Sequence, residues 1–231
     1  MKKSDLISAA IVLFIIIFLI SVPGLMKIYE ELNSEYGLIM SFFKFAILAT
    51  IGEVIALRIR TGKYSRPQFG IVPRAIVWGF IGIVIKAAFV VFSTGVPAFL
   101  SYCGLEVTLE TVNKAGFTWT KLFTAFSIST FMNLVFAPVF MTFHKITDMH
   151  IERTGGTVRG LFTPINFSEI FPAINWKIQW GFVFKKTIPF FWIPAHTVTF
   201  LLPPQYRVLF AAALGIVLGV LLAIASLMSE K

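Results

Sequence analysis

Six stretches of about twenty apolar residues constrain this chain more than any other feature. They run from about Leu6 to Met26, Leu38 to Leu57, Ala75 to Leu100, Trp119 to Phe143, Trp180 to Leu202 and Val208 to Met228. A helix needs about 20 apolar residues to cross a ~30 Å hydrocarbon layer, and a helix satisfies its backbone polar groups within one segment. The chain therefore reads as all-α: one polytopic integral membrane domain over residues 1–231, with about six transmembrane helices. The fifth stretch departs from the rest. Lys185 and Lys186 near its start, and Pro189 and Pro194 within it, predict a kinked span or a re-entrant segment shielded by protein. Composition points the same way, since 57% of the residues are hydrophobic and only 13% charged, against about 45–50% and 25% in soluble domains.

The formal net charge is +9, and where the charges fall decides what that means. With the N-terminus inside, the inner side carries Lys2, Lys3, Arg58, Arg60, Lys63, Arg66, Arg74, Lys145, Arg153, Arg159, Lys177, Lys185, Lys186 and Lys231, which is 14 of the 20 basic residues. The outer side carries Lys27, Lys114, Lys121 and Arg207. This asymmetry is an orientation signal. It predicts a multi-pass protein of a prokaryotic inner membrane or its equivalent, with both termini cytoplasmic. The lipid bilayer is then the expected partner, and nucleic acid is not. Trp78, Trp176 and Trp180 at inner ends and Trp119 at an outer end fit interfacial belts. Lys2 and Lys3 before an apolar run resemble a signal peptide, but the run is long and Pro23 spoils the cleavage pattern, so an uncleaved first helix is expected.

Catalytic and cofactor chemistry finds little footing. The single cysteine, Cys103, cannot close an internal disulfide, and no Cys/His cluster offers a structural zinc site. Nucleophile-elbow, zincin, phosphate-loop and dinucleotide signatures are missing. Glu53 is the one carboxylate within any predicted span. No enzyme activity, cofactor or metal is expected. The connections from about His144 to Gln179 and from Ser101 to Thr118 are too short for a catalytic domain outside the membrane. His144 and Asp148 lie one helical turn apart and have the spacing to share a metal, yet His150 points elsewhere on a continuing helix; a solvated helix end is the expectation.

Ionisable and polar residues within spans are costly, so they are the first functional candidates. Glu53 and Lys86 fall on adjacent helices at depths a lysine stem can bridge. They either pair to set helix register, line a solute path, or never meet. Asn133 is a mid-span amide, and Pro138, five residues on, removes a backbone hydrogen bond and predicts a kink. Trp192, Pro194 and His196 lie together in the fifth stretch, beside Thr197 and Thr199. Arg207 follows Pro203 and Pro204, where it either anchors a tight turn or joins the polar path.

The run Asn133 with Phe136-Ala137-Pro138 resembles the Asp-Gln-x-x-Phe-Ala-Pro element of the Mpv-seventeen and 22-kilodalton peroxisomal membrane protein family. Trp192 and Pro194, Thr199-Phe200, Pro203 and Tyr206-Arg207 are similar to that family's Trp-Pro, Asn-Phe and Val-Pro-x-x-Tyr-Arg signature. Gly52-Glu53 resembles its Gly-Asp element. The order agrees over about residues 45–225, with Leu57, Met132 and Thr199 replacing the family's Gln, Asp and Asn. The resemblance implies a small helical organelle-membrane or inner-membrane protein linked to pore behaviour and metabolite homeostasis. By position it carries over Glu53, Asn133, Pro138, Trp192, Pro194, Pro203 and Arg207.

Together these features predict a pore or a transporter of an unidentified small solute, with Glu53, Lys86, Asn133, Pro138, Trp192, Pro194, His196 and Arg207 as path-lining candidates. Assembly as a homo-oligomer stays open. The alternative is a non-transporting membrane scaffold or assembly factor, in which the buried charges fix packing only.

Overall fold

A computed structural model describes residues 21, 22 and 24–229, with side chains through Ile224. Every regular element among the described residues is helical. In chain order they are α1 (Leu25–Glu35), α2 (Gly37–Thr61), α3 (Ile71–Tyr102), α4 (Leu109–Asn113), α5 (Trp119–Val135) and α6 (Ala137–Arg153). Three short turns, α7 (Val158–Leu161), α8 (Phe167–Ile170) and α9 (Trp176–Ile178), lead into a π-helical segment (Gln179–Trp192), then α10 (Ile193–Leu201) and α11 (Pro204–Ser229).

Among the described residues, three helices are long and apolar enough to cross a membrane: α2, α3 and the Pro204–Ile224 part of α11. The α5–α6 pair, bent by 47°, adds a fourth if it counts as one span. This corrects the expectation of six. The stretch at residues 6–26 lies largely outside the described residues. The fifth stretch is a 14-residue π segment followed by the nine-residue α10, and Lys185 and Lys186 are exposed on it. Its widened winding is visible where the Ile193 N–H reaches back five residues to the Ile188 carbonyl. The bend between α5 and α6 falls at Phe136, two residues before Pro138, which sits in the first turn of α6 and has no N–H to offer the Leu134 carbonyl. The segment expected to be a loop from His144 onward is helical as far as Arg153.

The helices α2 and α3 form an antiparallel hairpin whose register is set by small residues. A Cβ on Gly82 would lie 2.4 Å from the Ser41 carbonyl oxygen, and one on Gly79 would lie 2.4 Å from the Phe42 ring. The backbones approach this closely because nothing projects between them. On its other side α2 packs against α11, where a Cβ on Gly52 would meet the Ile216 Cα at 3.0 Å. The helices α5 and α10 pack together, and Phe45, Ile81, Phe89, Ile128, Met132, Phe200 and Ala212 make up much of the shared core. Away from it the surface is strongly apolar, with Ile47, Phe80, Val91, Leu134 and Val135 all exposed. A contiguous apolar exterior of this kind suits a lipid environment rather than water.

The hairpin loop between α2 and α3 docks on the turn after α6. Gly70 and Gly156 both adopt positive φ, and a Cβ on Gly70 would lie 2.9 Å from the Gly156 Cα. Only glycine takes this conformation without strain and still leaves room for so close a contact. This contact brings the start of α3 beside α6. The short helix α1 lies at the opposite end of the molecule, where Tyr206 donates a hydrogen bond to Glu30 at 2.6 Å and the Tyr29 hydroxyl meets the Gln205 carbonyl at 3.3 Å. Burial, with Tyr206 and Glu30 nearby, pushes the Tyr29 hydroxyl up to about 12, so it is a neutral donor at ordinary pH.

Gly82→Ala should force α2 and α3 apart and cost about 1–3 kcal/mol. A Cβ at Gly95 meets nothing within 4 Å, so Gly95→Ala should be neutral or stabilising by up to about 1 kcal/mol. Thermal unfolding of the two purified variants checks the contrast.

Candidate functional site

The register of the hairpin decides which charges meet. Gly79 stands level with Phe42, Gly82 with Ser41, and Lys86 with Gly37, whose added Cβ would lie 3.6 Å from Lys86 Cε. Glu53 is 16 residues beyond Gly37 on α2, which at 1.5 Å per residue is about 24 Å. Glu53 and Lys86 therefore do not meet.

The partner of Glu53 is Arg74, three residues into α3. Its Nη1 donates to Glu53 Oε2 at 2.6 Å and to Asp148 Oδ1 at 2.5 Å, its Nη2 to Glu152 Oε1 at 3.2 Å, and its Nε to the Phe69 carbonyl at 2.7 Å. The guanidinium also lies 4.6 Å over the Phe69 ring, and its side chain is only 5% exposed. Trp78, one turn further along α3, donates its indole N–H to Glu53 Oε1 at 2.7 Å. His144 Nε2 lies 3.4 Å from the same oxygen and its ring packs 4.3 Å from Trp78. Arg66, from the hairpin loop, shares Glu152 Oε1 at 2.6 Å. Two guanidinium groups thus face three carboxylates.

A pattern in the sequence pointed to this cluster. His144, Asp148 and Glu152 recur at i, i+4 and i+8, which places them on one helical face. Reading them as the solvated end of a helix missed that face, because the chain was expected to leave the helix at His144. His150 does point elsewhere, with its Nε2 3.1 Å from the Gly160 carbonyl. Ligand atoms of Glu53, His144 and Asp148 lie within 4.8 Å of one another, a spacing a metal ion would accept. The Arg74 Nη1 that bridges the two carboxylates already supplies their positive charge, so a cation would have to displace it.

From this cluster a cavity of about 570 Å³ runs into the helix bundle. Arg60, Arg66, Arg74, Lys145, Glu53, Asp148 and Glu152 line it together with the aromatic Phe45, Phe136 and Phe140 and the amide and imidazole of Asn133 and His196. Asn133 is 1% exposed; its Nδ2 donates to the Ser129 carbonyl at 2.8 Å and lies 3.1 Å from His196 Nδ1. The Ser129 hydroxyl donates to the Ile193 carbonyl at 2.7 Å, so the same group of residues joins α5 to α10. Trp192 stacks on His196 at 5.2 Å, and its buried indole N–H has no acceptor among the described residues. Glu53, Asn133, Trp192 and His196 are therefore brought to one cavity. Pro138 and Pro194 are not on its walls; both sit in the first turn of a helix, and Pro194 is exposed.

Lys86 and Arg207 lie elsewhere. They line a second pocket, of about 180 Å³, at the opposite end of the bundle. Arg207 holds the turn between α10 and α11 by donating to the Leu202, Phe200 and Val112 carbonyls and to Asn113 Oδ1, at 2.9–3.3 Å. Phe89 is the one residue that lines both pockets. It is 5% exposed, with its ring edge-on to His196 at 5.8 Å and tilted against Phe200 at 5.1 Å.

Compared with models of protein families, with curated proteins and with solved structures, the chain matches none.

Removing Arg74 leaves Glu53 and Asp148 without their guanidinium while Glu152 keeps Arg66, so Arg74→Met should cost about 3–5 kcal/mol. Glu53→Gln should cost less, because Asp148 and Glu152 still hold the guanidinium. A double-mutant cycle of Glu53→Gln with Lys86→Met should give a coupling energy below about 0.5 kcal/mol; a larger coupling would contradict the register described above.

Proposed function

We propose that this chain is a multi-pass membrane protein that forms a gated path for small solutes. The observation that carries the reading is that two separate pockets open in one helix bundle, one reaching in from the Arg74 cluster and one around Lys86 and Arg207, and that Phe89 lines both. A continuous cavity would leak, and a bundle without cavities would offer no route. Two pockets divided by one aromatic ring need a rotamer change or a small helix shift to join. Motions of that kind open hydrophobic constrictions in channels and transporters.

The ends differ in charge, and this supports an orientation. Arg58, Arg60, Lys63, Arg66, Arg74, Lys145, Arg153 and Arg159 gather near the Arg74 end, and by the positive-inside rule this supports a cytoplasmic orientation for that end. The larger cavity is then an inner vestibule and the Lys86–Arg207 pocket an outer one. In this reading the unpaired indole N–H of Trp192 and the neutral Asn133–His196 pair offer a solute hydrogen-bonding groups without charge. The likeness to the Mpv-seventeen and 22-kilodalton peroxisomal membrane protein family accords with this reading. Four of the seven positions it carries over, Glu53, Asn133, Trp192 and Arg207, lie on the pocket walls, and we propose distant kinship on that ground.

One observation favours the scaffold alternative. Arg74 joins α2, α3 and α6 with every carboxylate around it engaged, which is what a group that fixes packing requires. Flux measurements separate the two readings. Liposomes holding the purified chain should release small encapsulated solutes faster than empty ones, and Phe89→Ala should raise that flux several-fold while Phe89→Trp lowers it. Folded protein whose Phe89→Ala variant leaves vesicles as tight as protein-free ones would sink the transport reading and leave the scaffold.

A further inference from the structure

Most charged groups buried among the described residues have an oxygen acceptor or an opposite charge within reach. Lys86 does not. It lies halfway along α3, 15 residues from Ile71 and 16 from Tyr102, half-buried, and has no hydrogen-bond or ion-pair partner among the described residues. Arg207 shares its pocket. Carbonyl and amide oxygens take up the Arg207 Nε and Nη2, while Nη1 meets no acceptor among the described residues. The hydroxyl of Thr94 and the amide of Asn113 face the same space, and no carboxylate is on its walls. Ser93 lines it too, with its hydroxyl already donated to the Val90 carbonyl at 3.3 Å, and the remaining walls, including Phe89, Val90 and Leu109, are apolar.

We infer that this pocket is a binding site for a compact oxyanion, held between the Lys86 ammonium and the free edge of the Arg207 guanidinium. Two fixed cations that share a small, partly apolar pocket repel one another, and an anion between them turns that repulsion into two charge-assisted hydrogen bonds. The Lys86 ammonium, Arg207 Nη1, the Thr94 hydroxyl and the Asn113 amide nitrogen can all donate, which suits an acceptor-rich ligand. Lysine contributes a point charge and arginine a planar edge, a pairing fitted to phosphate or carboxylate oxygens. The volume, about 180 Å³, is roughly six times the ~30 Å³ a water molecule occupies in the liquid. That admits phosphate, sulfate or a small carboxylate with part of its hydration, and is too small for a nucleotide. The oxygens could belong to a free ion or to a phospholipid headgroup, since the pocket lies on helices that meet lipid. The site stands whether or not the Phe89 wall opens, because it is defined by binding.

The test uses the full chain in nanodiscs of phosphatidylcholine, titrated with inorganic phosphate against chloride at fixed ionic strength and followed by thermal unfolding. Phosphate should raise the Tm saturably. Lys86→Met should raise the half-saturating concentration about tenfold or more, as expected for loss of a charge-assisted hydrogen bond. Lys86→Arg should keep the response, and Lys185→Met, on the exposed π segment, should leave it unchanged. If Lys86→Met proves too unstable, Thr94→Val, at an exposed position, should weaken the response several-fold. A parallel arm adds phosphatidylglycerol and reads bound lipid by native mass spectrometry. A single retained phosphatidylglycerol, lost in Lys86→Met, assigns the oxyanion to a headgroup. Wild-type behaviour of Lys86→Met in both arms, or no saturable binding in either, overturns the site.

Discussion

The contact of Arg74 with Glu53, Asp148 and Glu152 is the interaction on which the rest of the arrangement depends. It joins three helices at one end of the bundle, where hydrophobic packing cannot supply direction because the surroundings of the helices are themselves apolar. In lipid, association of helices rests on close packing and polar contacts. A guanidinium with donors fixed in a plane holds carboxylates from two other helices at once in a set geometry, which the rotating donors of a lysine ammonium do not impose. The Trp78 indole and His144 close the remaining side of Glu53. A buried charge cluster of this kind adds little net stability relative to an apolar core, but it sets which helices meet and at what height.

That height follows from the glycine contacts. Gly79 and Gly82 let α2 and α3 approach until Arg74 comes within reach of Glu53, and Gly70 with Gly156 presses the hairpin loop against the end of α6. The same register carries Lys86 to the far end, beside Arg207. That Phe89 lines both pockets is thus a consequence of how far one helix slides along another. A shift of one helical turn would scramble both.

The helical class was legible in the sequence, because long apolar runs leave a chain few other ways to satisfy its backbone. The positions of Glu53, Asn133, Trp192 and His196 as unusual polar groups were legible too, since each interrupts an apolar stretch. Their partners were harder to read. Arg74 was assigned to a basic loop and Asp148 to a solvated end, because hydropathy marks where apolar runs stop and not where helices stop. Both helices continue past those limits, α3 beginning at Ile71 and α6 ending at Arg153. The i, i+4, i+8 spacing of His144, Asp148 and Glu152 was the signal available, and it needed a helix there to have meaning. The count of spans was overestimated for a related reason: a window of hydropathy takes no notice of a 47° bend or of a helix wound with five residues per hydrogen bond.

By itself the sequence determined the chemical inventory: helices rich enough in apolar residues to cross a membrane, an uneven distribution of basic residues, and a few polar groups placed where they cost energy. Only the tertiary structure decided which of those groups meet. Pairing between helices depends on axial register, and register is set by contacts at glycine a few tenths of an ångström from a clash, a precision that residue type and spacing along one chain do not encode. Glu53 found Arg74 and not Lys86 for that reason, and Lys86 was left with Arg207 and a pocket between them.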